Sequence, residues 1–295
     1  MSQFLPIVSV NDNPDFYGFW PIVCRAWQKF FQVTPKLAFV TSRPETDQLV
    51  VRMREHGPVQ LYPVAPGAPS HNQGMLARFY LAAQQGKTEV TIEDIDTVPL
   101  QETFITRVLQ QRAPGTMLLV GSEVYARTKD AGKFPISQMT GEGYLFNRLF
   151  SVGRLSYVEW IALLLKHKER FDHQENPRNA LPDGNQRFSD ESLIRCWLET
   201  THKGFPFTAI RRGVNVHRDW IDRTWWAVDQ DKLTAGRYIC CNFRRPMFMN
   251  NPAGIEELLF YLTQPKGGVV WLGKTEEEDE RIWKNLREFQ QAHKE

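Results

Sequence analysis

No stretch of this sequence approaches the roughly 18 unbroken apolar residues of a membrane-spanning helix. The opening Met1-Ser2-Gln3-Phe4-Leu5-Pro6 has neither the basic start nor the uninterrupted apolar run of a secretory signal. A cytosolic location is therefore expected. Cysteine is scarce as well: Cys24, Cys196, Cys240 and Cys241 show no CxxC spacing, and the adjacent Cys240-Cys241 would make a strained pair, so reduced thiols are expected and a zinc site is not. Charge of one sign is also missing. The net charge of +2 gives the chain no field strong enough to point to nucleic acid or a membrane as partner, although local patches remain open. Neither internal repeats nor low-complexity segments occur.

What is present is 295 residues, 42% hydrophobic and 12% aromatic, enough to bury a substantial core in one large domain or two modest ones. Residues 6–10 form a short apolar run ending at Asn11-Asp12-Asn13-Pro14, which reads as a buried strand and a turn. Residues 15–31 place Phe16, Phe19, Trp20, Val23, Trp27, Phe30 and Phe31 at helical spacing, a core-facing stripe. A strand over 35–43 closes a βαβ unit. A short helix over 47–55, a strand over 59–64, a Pro/Gly-rich loop over 65–70 and a helix over about 71–85 follow; this last helix brings Gln73, Arg78 and His71 towards the next strand. Beyond it lie a helix over 100–112 and a strand over 116–121. The alternation fits a Rossmann-like α/β layer through the first 125 residues.

The pattern then changes. Residues 140–146 read as a glycine-containing turn entering a strand, and 156–168 as an apolar helix with His167 at its C-terminal end. Residues 172–187 have almost no apolar side chain and two prolines, the composition of a surface loop that could act as a lid. Ser189 or Asp190 suits the N-cap of a helix over 191–200. Further helices are expected at 255–262 and 275–293.

The most informative stretch is 90–100. An apolar, β-branched run ends in Asp94-Ile95-Asp96, and Pro99 follows, where strand pairing should stop. On one continuous strand Asp94 and Asp96 would point the same way, into the crevice at the strands' carboxyl ends where open α/β sheets bind ligands. Paired carboxylate oxygens suit Mg2+ or Mn2+, and such a cation can hold a diphosphate. Solvated loop carboxylates would give the same tripeptide.

Together these segments resemble a GT-A type nucleotide-sugar glycosyltransferase over about the first 200 residues. The matching features are Ser9-Val10-Asn11-Asp12, the helix with Gln73 and Arg78, the Asp94-Ile95-Asp96 motif with Pro99-Leu100, and Phe188-Ser189-Asp190-Glu191. The resemblance implies a mixed GT-A sheet flanked by helices and a C-terminal helical extension. A catalytic domain would span 1–235, with its nucleotide-binding half at 1–125 and its acceptor half at 126–235, and the extension would span 236–295. By the same resemblance Val10, Asn11 and Asp12 would meet base and ribose, and Arg43 the base or a phosphate. Gln73, Arg78, Asp94, Ile95 and Gly141 would complete the donor site. Asp96 would bind the cation directly, Asp94 would contact ribose, cation or cation-bound water, and His217 would be the third ligand, with Asn242 next by position. Asp190 or Glu191 would serve as base if the reaction inverts configuration; a retaining reaction needs none.

Other readings of the same residues stay open. Asp94-Ile95-Asp96-Thr97-Val98 also matches the motif of haloacid-dehalogenase-like phosphatases, with Asp94 as nucleophile, Asp96 as acid/base and Mg2+ beside them. A non-catalytic nucleotide-binding module is the third reading. For a transferase the acceptor could be a glycan, a lipid-linked or protein hydroxyl, or a hydroxylated base in DNA. In that last case Arg211, Arg212, Arg218, Arg223, Arg244 and Arg245, interleaved with Trp220, Trp225 and Trp226, would meet the phosphates and bases. The alternative pairs those arginines with Asp219, Asp222 and Asp229 and puts the tryptophans in the core.

Overall fold

The computed structural model describes residues 4–121, 138–174, 204–210, 219–223 and 226–243. Strand β1 (Phe4–Asn11) is followed by a short helix α1 (Pro14–Tyr17) and by α2 (Trp20–Phe31). The single helical pattern of the sequence is thus split in two, with Phe19 as the N-cap position of α2 and Pro21 in its first turn, where a missing N–H costs nothing. Next come β2 (Lys36–Val40), α3 (Gln48–His56), β3 (Val59–Tyr62), α4 (Ser70–Ala83) and β4 (Glu89–Ile92). The chain continues through β5 (Thr97–Pro99), α5 (Thr103–Gln111), β6 (Met117–Val120), β7 (Met139–Glu142), α6 (Gly143–Phe150) and α7 (Tyr157–Gln174). Strands β8 (Phe207–Ile210) and β9 (Trp220–Ile221), helix α8 (Gln230–Thr234) and strand β10 (Cys240–Asn242) complete the described part.

Seven strands form one sheet in the order β3-β2-β1-β4-β7-β6-β8. Its first half is parallel, β7 runs antiparallel to both neighbours, and β8 is parallel to β6. Alternate residues of each strand feed opposite cores, as the two-residue period requires. Val8, Val10, Leu37, Phe39, Leu118 and Val120 pack with the aromatic face of α2 and with α5. Ile7, Ala38, Val40, Met117 and Leu119 pack instead with α4, α6 and α7. The stripe on α1 and α2 is core, as its spacing indicated: Phe19, Trp20, Val23, Trp27 and Phe30 are buried, and Trp20 Nε1 donates to the Met53 carbonyl at 2.8 Å.

A second sheet, ordered β5-β10-β9, departs from the expected layout. The run through Asp94 and Asp96 is not one strand. β4 stops at Ile92, a turn closed by Thr97 N donating to Asp94 O at 3.0 Å intervenes, and β5 then joins the smaller sheet. Pro99 does not end pairing: it lies opposite Cys240 on the edge strand, where a residue without an N–H is tolerated, and Leu100 N still donates to Ile239 O at 2.9 Å. Residues 240–242, assigned from sequence to a C-terminal extension, supply the central strand of this sheet.

Two further expectations are corrected. Residues 139–142 are themselves a strand and 143–150 a helix, rather than a turn entering a strand. Helix α7 runs on to Gln174, so His167 lies within it rather than at its end, and residues 172–174 are helical rather than loop. The remainder of the supposed lid loop, Asp190, Glu191, His217 and the helices expected at 191–200, 255–262 and 275–293 lie outside the described residues. Among the described residues no helix is long and apolar enough to cross a membrane. Cys24, Cys240 and Cys241 are buried free thiols, and burial pushes the Cys24 and Cys241 thiols well above their ordinary pKa.

The glycines at the start of α6 separate two roles. A Cβ on Gly143 would stand 2.7 Å from Ala82 O and 2.9 Å from Gln85 C, both backbone atoms, because α6 starts directly on the loop after α4. On Gly141 its nearest neighbour would be the Leu145 side chain, at 3.3 Å, with Met117 in ordinary contact at 3.5 Å. Gly143→Ala is expected to lower stability by about 1–3 kcal/mol and Gly141→Ala by clearly less, checked by urea unfolding of both variants.

Candidate functional site

The sheet order places β2 on one side of β1 and β4 on the other, although β3 and α4 come between them in sequence. That reversal opens a crevice at the carboxyl ends of β1 and β4, the position where open α/β sheets bind ligands. Helix α4 forms one wall, and it approaches unusually closely. A Cβ on Gly74 would lie 2.8 Å from Asn11 N and 3.1 Å from Val10 C, so no larger residue fits between the helix and the end of β1. Asn11 Nδ2 donates to Ser70 Oγ at 3.2 Å, which ties the strand end to the first turn of α4. Gln73 is fully buried: its Oε1 accepts from Ala65 N, and its Nε2 donates to Ala65 O and Ala68 O, all at 2.8 Å. Gln73 thus fixes the Pro/Gly-rich loop over the crevice instead of pointing into it.

At the outer end, Asp12 Oδ1 accepts from Thr41 Oγ1 and from Arg43 Nε, each at 2.9 Å. Arg43 Nη1 reaches Asp47 Oδ2 at 3.0 Å. Asp47 is also the N-cap of α3, accepting from Leu49 N at 2.8 Å. The Leu49 N–H, with help from the Arg43 guanidinium, holds its carboxyl below the usual range. Arg43 is half-buried and bridges Asp12 after β1 to Asp47 before α3.

At the inner end stands the 94–97 turn. Arg78, 3% exposed on α4, donates through Nη1 to the Glu93 carbonyl at 2.8 Å and to Asp94 Oδ1 at 2.5 Å. Asp96 is nearly buried; its backbone carbonyl accepts from Phe243 N at 2.9 Å, and its Oδ2 accepts from Arg223 Nη1 at 3.3 Å. The two carboxylates are therefore directed by a turn and not by strand alternation, Asp94 to α4 and Asp96 to the segment after β9. Ile95 between them is buried in the core shared with α2, as is the Val10 side chain, so each can meet a ligand only through its backbone.

Asn11, Asp12, Arg43, Arg78, Asp94 and Asp96 thus converge on the carboxyl edge of the sheet. Gly141 does not: it pairs with Val90, inside β7 and back from the Ile92 end, and its role is to admit Leu145. Sequence reasoning missed Gly74, Thr41, Asp47 and Ser70. Gly74 had a signal, since glycine inside an otherwise apolar helix is costly unless close packing demands it. Trp220 is buried against Phe104, Trp226 is partly buried and packs on Phe243, and Arg223 reaches Asp96.

The chemistry of this donor set fits a divalent cation. Mg2+ and Mn2+ take hard oxygen ligands, and such sites are commonly built from one or two carboxylates completed by substrate phosphates and water. Asp94 and Asp96 supply that pair from one turn. No cluster of three or more acidic, histidine or cysteine ligands occurs among the described residues, so phosphate, water or residues beyond them would complete the shell.

The architecture is the GT-A type of α/β fold, a mixed sheet with helices on both faces and a switch-point crevice. Among solved structures, an active-site mutant of LgtC superposes with a TM-score of 0.51 at 11% identity, covering 88% of this chain and 95% of that one. The galactosyltransferase LgtC with donor and acceptor sugar analogues gives a TM-score of 0.46 at 12% identity, over 96% of this chain and 100% of that one. The glycosyltransferase GlyE of Streptococcus pneumoniae gives 0.48 at 8% identity, with 99% of this chain spanning 64% of that protein. No family model and no curated protein matches the sequence.

Two outcomes test this geometry. Gly74→Ala forces α4 away from Asn11 and should lower stability by about 1–3 kcal/mol, more than Gly141→Ala does, read by thermal unfolding. The Asp47 cap has a depressed folded pKa, so its stabilisation is complete above the unfolded value of about 3.9 and is lost as pH falls through the lower folded value. The melting-temperature gap between wild type and Asp47→Ala should therefore be constant at neutral pH and close only in strong acid.

Proposed function

We propose that this protein transfers a sugar from a nucleoside diphosphate donor to a hydroxyl acceptor, using Mn2+ or Mg2+. The observation that carries the proposal is that one turn, directly after β4, holds both carboxylates, Asp94 bonded to the buried Arg78 of α4 and Asp96 to Arg223 beyond β9. Asn11 and Asp12, at the end of β1 with Arg43 bonded to Asp12, would take base and ribose. A divalent cation held at Asp94 and Asp96 supplies Lewis-acid stabilisation of the charge that develops on the leaving diphosphate. Arg78 fixes the Asp94 carboxylate through a charge-assisted bond and adds positive potential beside it. Asp190 or Glu191 would take the acceptor proton in an inverting reaction, and His217 would complete the cation's shell. A glycan hydroxyl is the favoured acceptor. A hydroxylated base in DNA is less well supported, because Trp220, one of the tryptophans expected to stack on bases, is buried against Phe104.

The phosphatase reading loses ground on one contact. A nucleophilic Asp94 needs an electron-rich oxygen, and Arg78 lies 2.5 Å from Asp94 Oδ1. A thermal-shift panel of nucleoside diphosphates and nucleotide sugars, with and without Mn2+, tests the transferase reading. A ligand that binds only the folded state raises apparent stability by mass action. A shift that needs both Mn2+ and Asp96, and disappears in Asp96→Asn, is expected for at least one nucleotide. Turnover of a simple phosphate ester with no shift from any donor would overturn the proposal.

A further inference from the structure

The two carboxylates of the 94–97 turn have cationic partners of opposite character. Arg78 is 3% exposed and held by both Asp94 and the Glu93 carbonyl. Arg223, just beyond β9, is 45% exposed and reaches Asp96 through Nη1 at 3.3 Å. The burial of the carboxylates is reversed: the Asp94 side chain is 40% exposed and the Asp96 side chain 4%. A buried carboxylate requires a counter-charge, and Arg223 provides one from the solvent side. An ion pair with one partner half in water, at long range, is weak and screened by salt.

We propose that Arg223 is a displaceable counter-ion of Asp96, which yields the carboxylate to the divalent cation and then binds the donor diphosphate. The inference rests on the transferase reading above. Charge balance supports it. Without donor, each carboxylate of the turn has a guanidinium partner, Asp94 in Arg78 and Asp96 in Arg223. A divalent cation adds two positive charges there, and the diphosphate bridge of a nucleotide sugar brings two negative ones. If Arg223 stayed on Asp96, the cation would lose one of its carboxylates; once displaced, its half-exposed guanidinium is well suited to a bidentate contact with phosphate oxygens.

Competition and cooperation make opposite demands on one side chain. In Arg223→Gln, Mn2+ alone should bind the donor-free protein more tightly, by about fivefold or more, the lower end of ordinary coupling between two sites. In the same variant, uridine or guanosine diphosphate at saturating Mn2+ should bind more weakly by a similar factor. Arg223→Lys should restore part of both effects. The experiment titrates free Mn2+ by electron paramagnetic resonance, and the nucleoside diphosphate by calorimetry, on full-length wild type, Arg223→Gln, Arg223→Lys and Asp96→Asn. A purely structural arginine would weaken both ligands together, which overturns the inference. Mn2+ binding that depends on Asp96 but is unchanged in Arg223→Gln overturns this inference alone. No Mn2+ binding by any form, with or without nucleoside diphosphate, overturns the transferase reading and this inference with it.

Discussion

The close approach of α4 to the end of β1 is the constraint on which the candidate site depends. Gly74 lets the helix backbone touch the backbone of Asn11 and Val10, and from that seat α4 sets three other groups. Ser70 ties down Asn11, Gln73 clamps the 65–68 loop, and Arg78 reaches the 94–97 turn. Each contact needs the helix at this height and rotation. A displacement of even 1 Å at this seat would move the Arg78 guanidinium relative to Asp94, and productive geometry of this kind tolerates about half that.

Electrostatics then divides the crevice. The outer end joins two carboxylates, Asp12 and Asp47, through one arginine, Arg43, with hydrogen bonds to Thr41 and to the first turn of α3. The inner end concentrates two carboxylates in one turn, with one arginine buried behind Asp94 and another half-exposed beside Asp96. A neutral sugar nucleotide base and ribose suit the first environment, and a cation with its diphosphate suits the second. The turn belongs to neither sheet alone, because β4 leads into it from the large sheet and β5 leaves it for the small one.

Much of the fold was legible because its signals are local. The apolar runs of β1, β2 and β6 follow from side chains facing two cores, and the aromatic stripe of α1 and α2 covers one of them. The turn at 94–97 was not legible. No glycine or proline marks it, Thr97-Val98 continue the β-branched pattern, and the partner strand β10 lies far along the chain. Gly141 misled for a related reason: Gly141 and Gly143 read as a turn, yet one admits Leu145 and the other lets α6 rest on the loop after α4. Arg78 could be assigned from its helix position alone. Arg223 could not be paired with Asp96, since only tertiary structure brings the small sheet to the turn.

The central claim is that one crevice, between the ends of β1 and β4, takes the nucleotide and its cation. The most direct measurement is a crystal structure of the protein with Mn2+ and a nucleoside diphosphate. The account predicts the diphosphate between those strand ends, Mn2+ bound to a carboxylate of the Asp94–Asp96 turn, and the base beside Asp12 and Arg43. A nucleotide bound elsewhere, for example in the cavity at the amino ends of β2 and β3 lined by Gln28, Thr34 and His56, would contradict it.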